Sequence, residues 1–229
     1  MQNFDKSWEQ EYSKGNSLNE YPFDFIVTLT FKYFGKVKNK GSVKVLDVGC
    51  GAGNNSEFFA KEGFDVFGID GSDTAIEYTK EKFKNKGLNG KFKKMFFEDI
   101  QDIDEKFDLI IDRESIYSLE WSDVVKTYSH ISTKLKKNGI FISFFYNKEH
   151  PDMKYLSNTS DGNTFYKPLN GSFGNSNRVT LFDINSIFKC TEQANLKITL
   201  LYDHKITPII SSDFSDNGIS EYIFVATRN

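Results

Sequence analysis

A short apolar strand that runs directly into three alternating glycines is the feature that most restricts the fold of this chain. Residues 45–48 read Val-Leu-Asp-Val, Gly49, Gly51 and Gly53 follow, and a helix is predicted to begin near Asn55. Glycine is needed where backbone torsions are unusual or where a ligand must touch the main chain. The start of a helix offers unpaired N–H groups and the positive end of its dipole. The segment therefore predicts a ligand-binding turn between a buried strand and a helix.

Segments typical of strands and helices alternate along the chain around this turn. The predicted helices cover residues 55–61, 72–85 and 122–135, and a further helix starts after Asp183. The predicted strands are residues 43–48, 65–70, 91–97, 107–112, 140–146, 197–202 and 222–227. Such alternation predicts a parallel sheet that is covered by helices on both faces. Ligands of these sheets bind beyond the carboxyl ends of the strands, so the loops there are expected to form one site.

Two segments depart from this alternation and suggest a division of the chain. Residues 1–40 are expected to form a helical lid or cap, and residues 41–229 the main domain. Residues 148–181, rich in Asn, Ser, Gly and Asp, are expected to be an insertion on the side where an acceptor binds. A loop of this length inside a compact domain usually has a function or is disordered.

The overall charge and the cysteines narrow the expected partners. The net charge is −3 and the 29 basic residues are scattered, so no nucleic-acid partner is expected. Cys50 and Cys190 form neither a disulfide framework nor a metal-ligand pair, and we expect no metal site. The apolar runs have the length of strands and no secretory leader is evident. These features favour a cytoplasmic protein without a membrane span, present as a monomer or homodimer.

The glycine turn and the segments after it resemble the motifs of class I S-adenosylmethionine-dependent methyltransferases. The matching segments, in the family's order, are residues 45–53, 67–72, 97–100, 107–112 and 135–140. The resemblance covers about residues 40–147, and the two C-terminal strands are consistent with it. It implies an α/β fold, a Rossmann-like three-layer sandwich. Its seven-stranded, mostly parallel sheet would have the order 3-2-1-4-5-7-6, with a C-terminal antiparallel strand.

The resemblance also implies S-adenosyl-L-methionine as the cofactor and assigns residues to it. Asp70 ends the second strand and would hold the ribose hydroxyls. An acidic side chain of the pair Glu98 and Asp99, with the N–H of Ile100, would read adenine. The other residues expected at the cofactor are Tyr12, Asp47, Gly49, Gly51, Asn54, Gly71, Ser72 and Asp112.

A nicotinamide dinucleotide enzyme is the main competing interpretation of the glycine turn. Its fingerprint is G-x-G-x-x-G, whereas here Asn54 follows Gly53 and the glycines read G-x-G-x-G. A pyrophosphate favours the helix N-terminus, and Asp47 beside the turn would repel it. The sequence therefore favours the methyltransferase.

Candidate catalytic residues follow the fourth and fifth strands. Tyr117 is a candidate to orient or deprotonate an acceptor, and packing is an equally good account of it. Arg113 could clamp an anionic acceptor or pair with Glu114 or Asp112. His150 is the one histidine in a predicted strand-end loop and has the pKa range of a base, although a surface role is also open.

The expected function is methyl transfer to a small polar acceptor, without nucleic acid or membrane as a partner. The expected atom is an oxygen, from a sugar hydroxyl or a phosphoryl-type group of a polysaccharide precursor, on the basis of general resemblance. Two alternatives stay open. One is a protein or RNA methyltransferase, and the other is a module that binds S-adenosylmethionine without turnover.

Overall fold

The computed structural model describes residues 4–157, 159, 161–210 and 218–228. The α-helices are α1 (Ser7–Ser13), α2 (Asp24–Phe34), α3 (Asn54–Lys61), α4 (Asp73–Asn85), α5 (Trp121–Lys134) and α6 (Ile184–Gln193). The strands are β1 (Lys44–Val48), β2 (Asp65–Asp70), β3 (Lys91–Lys94), β4 (Phe107–Arg113), β5 (Leu135–Tyr146), β6 (Thr164–Tyr166), β7 (Arg178–Thr180), β8 (Leu196–Ile206) and β9 (Ile219–Arg228).

Seven strands form one sheet in the order β3-β2-β1-β4-β5-β9-β8, and β6 and β7 form a separate hairpin. Strands β1 to β5 pair in parallel, β9 pairs antiparallel with β5, and β8 pairs antiparallel with β9. The predicted order 3-2-1-4-5-7-6 is confirmed, because the hairpin strands β6 and β7 lie outside the main sheet.

The sheet separates two apolar cores, which makes the molecule a three-layer sandwich. Successive residues of a strand point to opposite faces. Leu46 and Ile110 accordingly lie in the core beneath α5 and α6, whereas Val45 and Leu109 lie in the core beneath α2 and α3. Helices cover both faces, which explains why the central strands are apolar along their whole length.

Two helices have the side-chain caps that the sequence predicts. Ser72 Oγ accepts a hydrogen bond from the N–H of Ala75, and Asp183 Oδ1 accepts one from the N–H of Ser186, as the sequence predicts. The third strand is shorter than predicted and ends at Lys94. Residues Phe97–Asp102 instead form 3₁₀ turns, because Ile100 turns into the core and has no exposed surface.

The first two helices have different surroundings. Helix α2 packs against the sheet through Ile26 and Leu29, which are fully buried. Helix α1 instead lies against α4 at the carboxyl ends of the strands. Trp8 of α1 packs on a third apolar cluster, which includes Tyr117 and Phe173 and joins the 3₁₀ turn after β4 to the insertion. Among the described residues, no helix has the length and apolar character needed to cross a membrane.

Candidate active site

The glycine turn after β1 has the backbone that its sequence predicts. Gly49, Gly51 and Gly53 have φ values of +71°, +51° and +72°, a region that other residues enter at a cost. Space is also restricted at the first of them, since a Cβ atom on Gly49 would lie 2.2 Å from Cβ of Ser115. The turn therefore presents bare main chain to the cavity above it, as a bound ligand would require.

Asp70 lies beside the turn because β1 and β2 are parallel and in register, with Val48 opposite Ile69. Its Oδ2 accepts a hydrogen bond of 3.0 Å from the N–H of Gly51, and its Oδ1 accepts one of 2.8 Å from the N–H of Ser72. Burial raises the pKa of this carboxyl to about 6, against the effect of these hydrogen bonds. A carboxylate has further lone pairs, so Asp70 can still accept from ligand hydroxyls.

Asp47 supports the turn from behind. It is buried, and its Oδ2 accepts a hydrogen bond of 2.6 Å from Oγ of Ser56. Burial raises its pKa to about 7, and the nearby charges of Asp70 and Asp112 add to this increase. Asp47 does not line the cavity, so any effect on a ligand passes through the backbone of the turn.

Helix α1, here named the lid, lies over the glycine turn, where its Trp8 and Tyr12 line the cavity. Its Glu9 carboxylate accepts hydrogen bonds of 2.5 Å from both Ser72 Oγ and Thr74 Oγ1 at the start of α4. Burial alone would raise the pKa of Glu9, but these hydrogen bonds outweigh it and the pKa is lowered. Tyr12 lies over the turn, and burial raises the pKa of its hydroxyl well above the ordinary value. The Glu9 contacts therefore hold a charged side chain and its helix over the site.

The lid is also bound to the insertion. Asp5, just before α1, accepts hydrogen bonds from the Asn177 N–H at 2.9 Å and from Asn177 Nδ2 at 2.5 Å. It also accepts one from the N–H of Ser7, which starts the helix. A carboxylate that receives several N–H groups makes stronger hydrogen bonds than a neutral acceptor. The lid is thus anchored on α4 at one side and on the insertion at the other.

Two connected chambers lie beneath the lid. The loop chamber, of about 880 Å³, lies over the glycine turn, and the α5 chamber, of about 630 Å³, lies between the 3₁₀ turns and α5. Both are lined by Phe4, Gly71, Phe97 and Ser118, so they form one cleft.

Most of the residues predicted to contact cofactor or acceptor line this cleft. Those in the loop chamber are Tyr12, Gly49, Gly51, Asn54, Asp70, Gly71, Arg113 and Tyr117. Glu98 lines the α5 chamber. Those that line neither chamber are Asp47, Ser72, Asp99, Ile100, Asp112 and His150.

The residues outside the cleft have identifiable structural contacts. Asp112 is buried and accepts hydrogen bonds from the N–H groups of Ser115 and Ile116 and from Oγ of Ser143. Ser72 caps α4, and the half-buried Asp99 donates its N–H to Phe96 O within the 3₁₀ turns. The side chains of Asp112 and Ser72 thus hold the turns in place, whereas the contact of Asp99 is made by its backbone.

His150 is buried behind Tyr146 rather than beside the cleft. Its ring packs on Tyr146 and Phe173, with centroid distances of 5.1 and 4.8 Å. Its Nδ1 accepts a hydrogen bond from the N–H of Asp152, and burial lowers its pKa. Contact with the acceptor would require a change in this packing.

A polar group closes the far end of the loop chamber. Arg113 forms an ion pair with Glu114, one of the two pairings that the sequence left open, and its guanidinium lies 4.0 Å from the centroid of the Phe23 ring. The Tyr146 hydroxyl donates a hydrogen bond of 2.5 Å to Glu114 Oε2. Nε of Arg113 is buried and has no hydrogen-bond partner among the described residues.

Glu114 was not among the predicted site residues. Its position directly after β4 could have identified it, because the loops at the carboxyl ends of the strands form the ligand site. Its φ of +51° directs the chain sharply after the strand. Within the described parts of the chain, no group of three or more His, Cys, Asp or Glu side chains is placed to hold a metal ion.

Comparisons with known proteins agree with this geometry. The family profile described as "Methyltransferase domain" matches residues 39–209. The crystal structure of a S-adenosylmethionine-dependent methyltransferase from Clostridium acetobutylicum superposes with a TM-score of 0.66 and 17% identity, covering 99% of this chain and 92% of that chain. A magnesium protoporphyrin IX methyltransferase from Synechocystis with bound SAH gives a TM-score of 0.61 and 15% identity, covering 97% and 84%. Both structures share the fold.

A sequence relative is more similar over a shorter segment. An ubiquinone biosynthesis O-methyltransferase from Pelagibacter ubique is 35% identical over 118 residues, which cover 52% of this chain and 48% of that protein. The chain thus spans about half the length of this curated relative.

Proposed function

The chain belongs to the family of class I S-adenosylmethionine-dependent methyltransferases, and from this premise we propose that it methylates an oxygen atom of a small acceptor. One observation carries the proposal. The cleft continues from the glycine turn and Asp70 to a polar group of Arg113, Glu114 and Tyr146 under the same lid. A cofactor and an acceptor can therefore meet in one covered space.

The cleft suits the cofactor. S-adenosylmethionine supplies, when bound, a methyl group on a sulfonium whose departure leaves a neutral thioether. Asp70 would accept from the ribose hydroxyls, and the backbone of the turn at Gly49 and Gly51 would approach the methionine part. Phe97 and Glu98, at the α5 chamber, would contact the adenine. A Cβ atom at Gly49 would clash with the side chain of Ser115, so only glycine allows this turn to pack against the loop after β4.

The acceptor end of the chamber combines aromatic walls with one polar group. Trp8, Phe23, Tyr117 and Tyr146 supply aromatic surface, and Arg113, Glu114 and Tyr146 form the polar group. We infer a small planar or partly apolar acceptor whose oxygen is oriented by this group. Orientation of this kind can contribute about 7–11 kcal/mol to the reduction of the barrier.

The relative from Pelagibacter ubique, named an O-methyltransferase, supports oxygen as the atom that receives the methyl group. Sugar hydroxyls and phosphoryl-type oxygens of polysaccharide precursors, which the sequence suggested, lack support from the comparisons. The aromatic lining of the chamber favours a phenol over a sugar.

The test uses S-adenosylmethionine with a labelled methyl group and panels of phenols, sugars and sugar phosphates. We expect label on a phenolic oxygen, identified by mass spectrometry of the product. Calorimetry with the cofactor alone is run in parallel. Transfer only to protein, RNA, nitrogen or sulfur acceptors would contradict the proposal even if the cofactor binds.

A further inference from the structure

We propose that Tyr146, Glu114, Glu221 and His204 form a proton path that carries the hydroxyl proton of the acceptor from the loop chamber to the protein surface. The proposal rests on the proposed function, because methylation of a hydroxyl oxygen releases one proton into a covered site. Each neighbouring pair along the path is in contact, and the path begins at residues that line the chamber.

The register of the sheet brings the path together. Tyr146 at the end of β5 lies opposite Glu221 of β9, and Glu221 lies opposite His204 of β8. Side chains directly opposite each other on neighbouring strands share a face and interact. Glu114 joins them from the loop that follows β4, the strand on the other side of β5. Four adjacent strands thus contribute to one row of groups that exchange protons.

The inner contact joins the chamber to a carboxyl group. The Tyr146 hydroxyl donates to Glu114 Oε2 at 2.5 Å, and both residues line the chamber. Arg113 forms an ion pair with the same Glu114 oxygen. Burial raises the pKa of Tyr146 well above its ordinary value, and the charge of Glu114 adds to this increase. Tyr146 therefore keeps its proton at neutral pH, and its oxygen can receive another only as it donates its own to Glu114.

The middle contact is a pair of buried carboxyl groups. Glu114 Oε1 and Glu221 Oε2 are buried and lack a conventional donor among the described residues. Glu221 lies within hydrogen-bonding reach of Glu114. Burial and the neighbouring charge of Glu114 raise the pKa of Glu221 to about 9, whereas Arg113 opposes the increase. The pair therefore holds one proton at neutral pH, and that proton satisfies both oxygens.

The charged and titratable groups around the pair come from several elements. Glu114 faces Arg113, Tyr117, Tyr146, His150 and Glu221. Glu221 faces Arg113, Glu114, Asp24 and His204. Two carboxyl groups buried together beside one arginine cost stability, which apolar side chains would avoid. A functional use of the pair accounts for that cost.

The outer contact reaches solvent. Glu221 Oε1 lies 2.9 Å from Nδ1 of His204. The side chain of Glu221 is 3% exposed and that of His204 is 24% exposed. Imidazole can accept a proton on one nitrogen and release one from the other. His204 therefore stands where a buried carboxyl group meets water.

Atoms and charge balance along the path. The acceptor oxygen forms a bond to the methyl carbon as the carbon–sulfur bond breaks, and the electron pair of that bond stays on sulfur. The hydroxyl proton passes to the Tyr146 oxygen while the Tyr146 proton moves to Glu114. The carboxyl pair then holds two protons, and Glu221 releases one of them from Oε1, the oxygen that contacts His204, to Nδ1 of that ring. His204 releases a proton to water, so one proton leaves for each methyl group transferred.

The first test examines the resting protein without an acceptor. Infrared spectroscopy at about pH 8, above the pKa of Asp47 (about 7) and of Asp70 (about 6) and below that of Glu221 (about 9), is expected to show the carbonyl stretch of a protonated carboxyl group. Glu221→Gln should remove this band, whereas Glu81→Gln, a change at an exposed residue of α4, should leave it. Absence of the band from the wild-type protein, or its persistence in Glu221→Gln, would overturn the path whatever the fate of the proposed function.

The second test compares two phenols that differ in the need for proton removal. Phenol is protonated at the assay pH, whereas 4-nitrophenol is largely ionised at mildly alkaline pH. Glu114→Gln should reduce kcat with phenol about 100-fold, the usual size of a general-base contribution, and have much less effect on 4-nitrophenol. Glu221→Gln should also reduce kcat more with phenol than with 4-nitrophenol, but by a smaller factor than Glu114→Gln. Equal losses with both phenols would overturn the path and leave only a positioning role.

The third test uses chemical rescue at the exit. His204→Ala should slow the reaction with phenol, and added imidazole should restore activity, because the site of His204 is partly open to solvent. Glu81→Gln should not respond to imidazole. Failure of rescue in a folded His204→Ala protein would contradict the path. If wild-type protein bound the cofactor but methylated neither phenol, the proposed function would be at fault, and the infrared test alone would decide the path.

Discussion

The Tyr12 hydroxyl lies so close above Gly51 that a Cβ atom on residue 51 would come within 2.4 Å of it. Gly51 also has a φ of +51°, a left-handed conformation that disfavours a Cβ atom even without the contact to Tyr12. The contact joins the lid helix to the glycine turn. Glycine at residue 51 is therefore required by the closed lid as well as by the turn.

Gly51→Ala should weaken cofactor binding by at least about tenfold, since the left-handed conformation alone costs roughly 1–2 kcal/mol for a residue with a Cβ atom. The clash of the new methyl group with the Tyr12 hydroxyl should weaken binding further. Calorimetry measures the affinity. The double variant Gly51→Ala, Tyr12→Phe lacks the clashing hydroxyl and should recover part of the loss. A double variant no better than Gly51→Ala would show that the lid contact is unimportant.

Asp70→Asn should reduce the affinity for S-adenosylmethionine by roughly 10- to 150-fold, because hydrogen bonds to charged groups contribute about 1.5–3 kcal/mol. The amide oxygen can accept from the N–H of either Gly51 or Ser72 but not from both, so we expect the fold to survive with reduced stability. Calorimetry gives the affinity and circular dichroism the fold. Asp73→Asn, at the exposed start of α4, is the matched control and should bind normally. Equal affinities for the two variants would contradict the ribose assignment.

Cofactor affinity should fall as the pH decreases through about 6, the pKa to which burial raises Asp70. The ionised carboxylate accepts ribose hydroxyls, and below this pH the cofactor must displace a proton. The free energy of unfolding of the protein without ligand should instead increase as the pH decreases. The folded pKa of Asp70 and that of Asp47, about 7, exceed the ordinary value of 3.8, so the folded state binds more protons and loses stability as the pH rises through this window.

Calorimetry and thermal unfolding between about pH 5 and pH 8 would check both trends. Asp70→Asn serves as the control, because its cofactor affinity should depend much less on pH. A wild-type affinity that stays constant across the window would contradict an ionised Asp70 at the ribose.

The contact between Asp5 and Asn177 should hold the lid closed. In a double-mutant cycle of Asp5→Ala and Asn177→Ala, we expect a coupling free energy of about 1 kcal/mol, typical of a hydrogen bond. Hydrogen exchange of the α1 amides should become faster in each single variant. Asn175→Ala removes an exposed contact of 3.5 Å to Glu11 and should change neither quantity. Lid amides that exchange equally fast in all three variants would argue against this anchor.

The sequence was sufficient for the parts of the site that depend on local structure. The glycine turn and Asp70 each lie within one strand–turn–helix unit, and the alternation of strands and helices determines how these units stack. The cap at Ser72 follows from the same short-range rules. These features were predictable because their partners lie within a few residues or on the next parallel strand.

The site features that the sequence did not predict depend on contacts between distant segments. Glu221 and His204 face each other because β8 and β9 are antiparallel and in one particular register, which no local pattern encodes. His150 follows β5 as expected, but a 3₁₀ turn after it places the ring against Phe173. Asp112 likewise makes its hydrogen bonds with the loop that follows it. Position after a strand therefore predicts proximity to the site, whereas the direction of the side chain requires the packed structure.

The double anchoring of α1, by Glu9 on α4 and by Asp5 on the insertion, has a kinetic consequence. While both anchors hold, α1 lies over the glycine turn, so we expect a spent cofactor to leave after they are released and the same movement to uncover the acceptor side. The two products are therefore expected to leave in one opening event. The rate of that opening, rather than the chemical step, would then limit how often the enzyme can complete its cycle.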